Sequence, residues 1–230
     1  MRGRGIVVAI DGPAGAGKST TARGVARRLG YVYLDTGAMY RALALGALRA
    51  GVDVGDGEAV ALLAQTLRIG LDAGEGTQRT VLEGEDVSGA IRTPEVSDAA
   101  SRVAMHTAVR EVLVTRQREI GQDGGIVLEG RDTGTAIFPD AELKVFLIAD
   151  VEARARRRQQ EMAGQGVDLS ALVRQIQDRD DRDRATQLRH GGWPAPGSVE
   201  VDTTGLSVAG QIDRVVELAI ARGAKKTADA

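Results

Sequence analysis

Residues 6–30 read IVVAIDGPAGAGKSTTARGVARRLG, and this stretch decides the fold. An apolar run leads into a glycine-rich turn, and apolar residues at helical spacing follow Lys18. The turn from Gly12 to Ser19 matches G-x-x-x-x-G-K-[ST] in the strand–turn–helix setting that this motif requires. Its glycines let backbone N–H groups curl around an anion, and the following helix adds the positive end of its dipole. The stretch therefore predicts a phosphate-binding loop.

Two side chains of this loop have specific predicted roles. Lys18 would reach the β- and γ-phosphates of a bound nucleotide, and the Ser19 hydroxyl would ligate Mg²⁺. Glu129 is a further candidate for that ion, acting through a water molecule. The predicted nucleotide-binding residues of the loop are Gly12, Pro13, Ala14, Gly15, Ala16, Gly17, Lys18, Ser19 and Thr20.

The rest of the chain alternates strand-like runs with helical patterns. Continuous apolar strands that alternate with helices indicate a parallel sheet covered on both faces. We therefore predict an α/β fold with a five-stranded parallel sheet flanked by helices. The predicted strands are 5–11, 31–36, 125–130, 143–149 and 198–203, and the predicted helices are 18–29, 38–50, 108–120, 151–162, 169–184 and 208–221.

Residues 51–101 break this alternation. Two short runs resemble an antiparallel hairpin, and a helix is predicted after them with Pro94 near its start. We interpret 51–101 as a small insert on a core formed by 1–50 and 102–222, all within a single domain 1–222. Residues 162–166 are predicted to form a flexible joint, and 223–230 a flexible tail.

Composition excludes several classes of function. The formal net charge of −2 argues against a nucleic-acid partner bound by bulk electrostatics. The chain has no cysteine, which excludes disulfides and cysteine-bound metals. No run of 18 apolar residues is present, and residues 1–11 become polar too soon for a signal peptide. We expect a cytoplasmic protein with no membrane partner.

Two other classes of P-loop protein fit the sequence less well. A regulatory GTPase would carry Asn-Lys-x-Asp to read guanine, and this motif is absent. The run VFLIAD (145–150) imitates the metal-binding strand end of a motor or AAA-type ATPase, but Asp150 suits the N-cap of the next helix better. The loop thus predicts nucleotide binding and leaves the reaction open.

Two further segments bring charged residues to the same edge of the sheet. YLDTGAMYRALA (33–44) places Tyr40 and Arg41 on the first turns of a helix that Thr36 or Gly37 is expected to cap. LEGRDTGTAIFPDA (128–141) delivers Glu129, Arg131 and Asp132 at the end of the third parallel strand. Ligands of open α/β sheets bind at this edge, and arginines can hold a phosphate there bidentately.

The combination resembles the bacterial cytidylate kinases, a branch of the P-loop nucleoside monophosphate kinases, over residues 6–222. The resemblance rests on IDGPAGAGKST, LDTGAMYRALA, LEGEDVSGAIRTPEVSDAAS, EGRDTGTAIFPDA and RDDRDR. It implies a P-loop NTPase core, a monophosphate-binding insert, a short lid over about 154–168, ATP as co-substrate with Mg²⁺, and a monomer. The activity implied is phosphoryl transfer from ATP to CMP or dCMP.

The resemblance also implies roles for individual residues. Thr36, Arg110 and Asp132 would read cytosine, with Tyr40 beside them. The pentose would be held by Ser101, Arg179 and Asp183, and the acceptor phosphate by Arg41 and Arg131, which join Lys18 as the catalytic residues. Lid arginines Arg154, Arg157 and Arg158 would bind ATP.

The charged run IQDRDDRDRAT (176–186) departs from the family pattern at its end. Threonine stands at 186 where the family usually has arginine, with Arg184 or Arg189 as candidate substitutes. Helical spacing places Arg179, Asp183 and Thr186 on one face, whereas Asp180 and Arg184 are expected to pair in solvent. Thr36 also replaces a usual serine but keeps the hydroxyl. The missing arginine leaves a kinase with relaxed choice between CMP and UMP as an alternative, beside a regulatory ATP-binding switch.

Overall fold

The structure is a computed structural model, and it describes residues 2–73, 78–162, 167–189 and 192–225. Its strands are β1 (Val7–Asp11), β2 (Val32–Asp35), β3 (Ile69–Ala73), β4 (Gln78–Leu82), β5 (Glu85–Asp86), β6 (Ile126–Glu129), β7 (Leu143–Ile148) and β8 (Val199–Asp202). Its α-helices are α1 (Lys18–Leu29), α2 (Thr36–Ala50), α3 (Gly57–Thr66), α4 (Pro94–Val103), α5 (Thr107–Gly121), α6 (Val151–Glu161), α7 (Leu169–Arg189) and α8 (Val208–Ala221).

Five parallel strands form the central sheet in the order β2-β6-β1-β7-β8. Strand β1 lies in the middle, with Ile10 opposite Glu129 on one side and Val145 on the other. This register brings the ends of β1, β2 and β6 to one edge, where the phosphate-binding loop begins. The predicted five-stranded parallel sheet is confirmed.

The insert differs from the sequence prediction in two ways. Its hairpin is a three-stranded antiparallel sheet, because β5 pairs with β4 beyond the β3–β4 ladder. Helix α3 was not predicted, although Asp56 caps it by accepting from the N–H groups of Glu58 and Ala59. Val60 and Ala64 are buried one turn apart on its inner face. In the sequence, Asp56 as a capping residue and the spacing of these two apolar residues were the features that indicated this helix.

The structure corrects one predicted helix cap and confirms the position of another. Helix α2 is capped by Asp35, whose side chain accepts from the N–H of Ala38, rather than by Thr36 or Gly37. Asp150 does occupy the N-cap of α6, but its side chain makes no capping hydrogen bond. Asp35 suits the cap because a carboxylate accepts well from the free N–H groups of a first turn.

Separate apolar clusters hold the core and the insert together. One cluster packs α1 and α8 against the sheet through residues such as Val25, Leu147 and Val215. Another joins α2 to the insert and α5 through Leu43, Ile91 and Leu113. Because α2 contributes to the insert cluster and begins at the edge of the sheet, it links the insert to the site.

Some predictions fall partly outside the described residues. These are 163–166 of the predicted joint and lid, and 226–230 of the predicted tail. Within the described ranges, Ala224 is buried against the cluster of α1 and α8. No helix in those ranges is both long and apolar enough to cross a bilayer.

Candidate active site

A cavity of about 300 Å³ lies at the carboxyl edge of the parallel sheet. Its walls are formed by the phosphate loop, the start of α2, and the turn after β6. Residues of α4, α5 and α7 complete them. It brings together most residues that the sequence singled out. The predicted site residues that line it are Ala14, Gly15, Lys18, Ser19, Thr36, Tyr40, Arg41, Ser101, Arg110, Glu129, Arg131, Asp132, Arg179 and Asp183.

The phosphate loop has the backbone geometry of an anion cradle. Gly12 has φ 148, and a Cβ there would lie 2.3 Å from the carbonyl oxygen of Leu147, so only glycine fits. Lys18 donates from Nζ to the carbonyl of Pro13 at 2.7 Å. Burial, and then the charge of Arg131, lowers the pKa of Lys18 to about 7. Phosphates of a bound nucleotide would favour the charged ammonium.

Ser19 and Glu129 form an oxygen-rich pair beside Lys18. The Ser19 hydroxyl donates to Oε1 of Glu129 at 2.5 Å, and Tyr33 donates to the same atom at 3.0 Å. Burial, and then the charge of Asp35, raises the pKa of Glu129. A hydroxyl and a carboxylate fit Mg²⁺, which binds proteins through few oxygen ligands and completes its shell with substrate phosphates. Among the described residues, no cluster of three or more His, Asp or Glu side chains could hold a metal.

Two arginines in the cavity are held by carboxylates. Arg41 donates to Asp35 at 2.6 Å, so the residue that caps α2 also orients this guanidinium. Arg131 donates from Nε to Asp183 at 2.7 Å. Burial acts to raise the pKa of Asp183, but the charge and hydrogen bond of Arg131 outweigh it and keep that pKa below its usual value. Both arginines are therefore positioned before any phosphate arrives.

The cavity is also lined by a buried ion pair. Arg110 on α5 donates to Asp132, and each side chain is only 7% exposed. The Thr36 hydroxyl donates to the carbonyl of Glu129 at 2.9 Å, so its lone pairs remain able to accept. Tyr40 has no partner for its buried Oη among the described residues. These residues therefore present fixed donors and acceptors to a ligand.

Asp11 is a positioning residue that the sequence analysis missed. Its carboxylate accepts from the N–H and hydroxyl of Thr133, both at 2.9 Å, and from the N–H of Gly134 at 2.9 Å. These bonds fix the turn directly after Asp132. Burial outweighs them and raises the pKa of Asp11 to about 6. The only sequence evidence was an acidic residue at the end of an apolar strand.

The three arginines that were predicted to lie on a lid have different surroundings. Arg154 is buried and donates to the carbonyl of Ala14 at 3.1 Å and to Asp180 at 2.6 Å. Arg157 donates to the carbonyl of Thr203, while Arg158 is exposed and pairs within α6. Asp180 therefore pairs with Arg154, which corrects the expected solvent pair with Arg184.

The face of α7 predicted from helical spacing is confirmed. Arg179, Asp183 and Thr186 all line the cavity. The Thr186 hydroxyl donates to the carbonyl of Arg182 at 3.0 Å. The lining residues that the sequence did not single out include Arg92 from the insert and Gln187 on α7.

The candidate substitutes for the missing family arginine are not among the described lining residues. Arg184 is exposed, and the side chain of Arg189 lies outside what the structure describes. Arg92 is the guanidinium that the insert contributes to the cavity instead.

A nucleotide-binding loop can act without a second binding site, whereas a kinase must also hold the group that accepts the phosphate. The cavity has this second half, since Arg41 and Arg131 line it together with Lys18. Fold and site thus define a P-loop kinase. The profile described as cytidylate kinase matches residues 8–221, and the chain belongs to the cytidylate kinase family.

Individual relatives agree with this assignment. The cytidylate kinase of Solibacter usitatus is 47% identical over 221 residues, which cover 94% of this chain and 93% of that protein. The bifunctional pantoate ligase/cytidylate kinase of a Synechococcus strain is 52% identical over 223 residues, but this chain spans only 41% of its length. A crystal structure of an uncharacterized protein from Eubacterium ventriosum shares the fold alone. Its TM-score is 0.51 at 10% identity, over 94% of this chain and 98% of that one.

Proposed function

We propose that this protein transfers a phosphoryl group from MgATP to CMP or dCMP, giving ADP and CDP or dCDP. The observation that carries the proposal is one cavity lined both by Lys18 of the phosphate loop and by the buried Arg110–Asp132 pair. Arg41 and Arg131 line the same cavity. The arrangement supports a donor phosphate, an acceptor phosphate and a base bound together.

Phosphoryl transfer needs alignment and charge neutralisation rather than covalent chemistry by the protein. Lys18 would neutralise the β- and γ-phosphates, and Arg41 and Arg131 would hold the acceptor phosphate in line with them. Mg²⁺, when bound at Ser19 with Glu129 near it through water, would supply positive charge to the phosphate oxygens. Because both arginines already have carboxylate partners, little side-chain ordering would be needed on binding.

The base end supports a preference for cytosine. Asp132 and the lone pairs of Thr36 can accept from the exocyclic amine, and Arg110 can donate to the ring acceptors. Uracil has the opposite pattern at positions 3 and 4, which would leave buried groups unpaired. A site of this kind can favour cytosine over uracil by ~10²–10⁴-fold in kcat/KM.

The lid arginines are proposed to close over ATP. Arg154 already contacts the phosphate loop through Ala14, and Arg157 and Arg158 follow it on α6. Closure would exclude water and limit hydrolysis of ATP. We further propose that the protein acts as a monomer in the cytoplasm, as its resemblance to the family implies.

One assay tests the proposal against its alternatives. ADP release would be measured by a coupled reaction with CMP, dCMP, UMP and AMP as acceptors. We expect turnover with CMP or dCMP and at least ~10²-fold lower kcat/KM with UMP. Equal turnover of CMP and UMP would favour the relaxed pyrimidine kinase. ADP release that does not depend on any monophosphate would instead favour a regulatory ATP-binding switch.

Asp183→Ala is expected to raise KM for CMP by roughly 10- to 100-fold, because a hydrogen-bonding charge at the pentose is lost. KM for ATP should change much less, since the ATP site is formed by the phosphate loop. Steady-state kinetics with each substrate varied in turn would measure both values. Asp181→Ala, at an exposed neighbouring position, is the matched control. A larger increase in KM for ATP than in KM for CMP would show that Asp183 lies outside the pentose site.

A further inference from the structure

Gln187 lies on the same face of α7 as two proposed pentose-binding residues. It follows Asp183 by one helical turn and Arg179 by two turns. The residue is only 3% exposed, yet it lines the cavity. The side chain is therefore almost enclosed by protein at the wall of the cavity.

The amide oxygen of Gln187 has no hydrogen-bond partner among the described residues, although it is buried. A buried acceptor without a partner destabilises the folded protein, so this oxygen would gain a hydrogen bond from a donor that a ligand supplies. The polar groups beside it already have partners. Thr186 donates to the carbonyl of Arg182, and Asp183 accepts from Arg131. The Gln187 oxygen is thus an unpaired acceptor at the wall of the cavity.

The direction of α7 identifies the part of the nucleotide that Gln187 would meet. Arg179 and Asp183 are the proposed pentose-binding residues, and their charges also act on Lys18 of the phosphate loop, so the phosphates lie towards this part of the face. Gln187 lies one turn, about 6 Å, further along the helix. In a nucleotide the pentose comes next after the phosphate. The exocyclic amine of the base has its own acceptors, Asp132 and Thr36, which come from the strand ends and not from α7.

We propose that Gln187 accepts a hydrogen bond from the 2′-hydroxyl of the acceptor nucleotide and so makes the protein favour CMP over dCMP. This inference rests on the proposed function. The 2′-hydroxyl is the donor that only the ribonucleotide has. With dCMP bound, the amide oxygen stays unpaired, and the difference between the two substrates is the value of one hydrogen bond.

The test compares kcat/KM for CMP and dCMP in the wild-type protein, Gln187→Leu and Gln187→Met. Leucine and methionine keep much of the side-chain volume and remove the acceptor. We expect each variant to lower kcat/KM for CMP by about 3- to 10-fold, mainly through KM, and to change that for dCMP by less than about 2-fold. Leu188→Ala, at a neighbouring position that is 66% exposed, is the control and should leave both values unchanged.

Three results would overturn the inference. The first is a wild-type protein with equal kcat/KM for CMP and dCMP. The second is a pair of variants in which kcat/KM falls equally for both nucleotides, and the third is a pair in which it falls for neither. Thermal unfolding of each variant identifies any loss of fold, and the wild-type comparison stands without the variants. A wild-type protein that binds ATP but phosphorylates neither nucleotide would instead refute the proposed function, so the two failures are distinguishable.

Discussion

Lys18→Ala is expected to lower kcat for CMP phosphorylation by about 10²–10³-fold while the folded structure is retained. The loss follows because the ammonium is the buried cation that would neutralise charge on the transferring group, and a preorganised donor of this kind contributes that much to rate. Lys18 is only 7% exposed, so surrounding water cannot take over its stabilisation of the negative charge. The coupled ADP-release assay with saturating CMP and ATP measures the effect.

The fold should survive this substitution because Lys18 makes one side-chain hydrogen bond, to the carbonyl of Pro13. Burial also disfavours its charge, as the lowered pKa shows, so removal of the amine relieves a cost of folding. Lys225→Ala, at an exposed lysine, is the matched control and should retain wild-type kcat. A wild-type kcat in Lys18→Ala would show that Lys18 does not belong to the active site.

The sequence predicted the sheet because its strands carry strong local patterns. Five runs with glycine-rich or charged ends specify parallel strands, of which β1 and β6 are buried along their whole length. The same argument missed α3, because a short helix in an insert depends on packing against neighbours such as α5 more than on its own pattern. Helix α7 also continues five residues beyond the predicted end at 184. Helix ends are decided by local contacts that a pattern does not specify.

Site residues were predictable as a set but not as pairs. Helical spacing placed Arg179, Asp183 and Thr186 on one face correctly. It could not show that Asp180 pairs with Arg154 from α6, because that contact depends on how two helices pack. Gln187 was missed for a related reason, since a glutamine at the end of a polar run gives no indication that the fold will bury it.

The ion pairs of the cavity have a consequence for catalysis. Arg41 and Arg131 are each bonded to a carboxylate, so an incoming phosphate competes with Asp35 and Asp183 for them. A guanidinium has five N–H donors, so each arginine can keep its carboxylate and still donate to a phosphate. The carboxylates would then orient the arginines rather than block them, and binding would require little rearrangement.

Asp132→Asn is expected to reduce the preference for CMP over UMP from ~10²–10⁴-fold to within about 10-fold. The asparagine oxygen would be drawn to Arg110, which leaves the amide NH₂ towards the base. That group opposes the amine of cytosine but can donate to the carbonyl at position 4 of uracil. Comparison of kcat/KM for the two nucleotides in wild type and variant measures the change.

The same substitution should also destabilise the protein, because it leaves the Arg110 charge buried without its counter-ion. Breaking a buried pair in this way costs about 3–5 kcal/mol of unfolding free energy, measured by urea denaturation. Asp213→Asn is the matched control. It breaks a pair with Arg28 in which the side chains are 49% and 50% exposed, and such surface pairs contribute at most about 1 kcal/mol. A destabilised Asp132→Asn variant that retained the full preference for CMP would show that Asp132 supports the fold without reading the base.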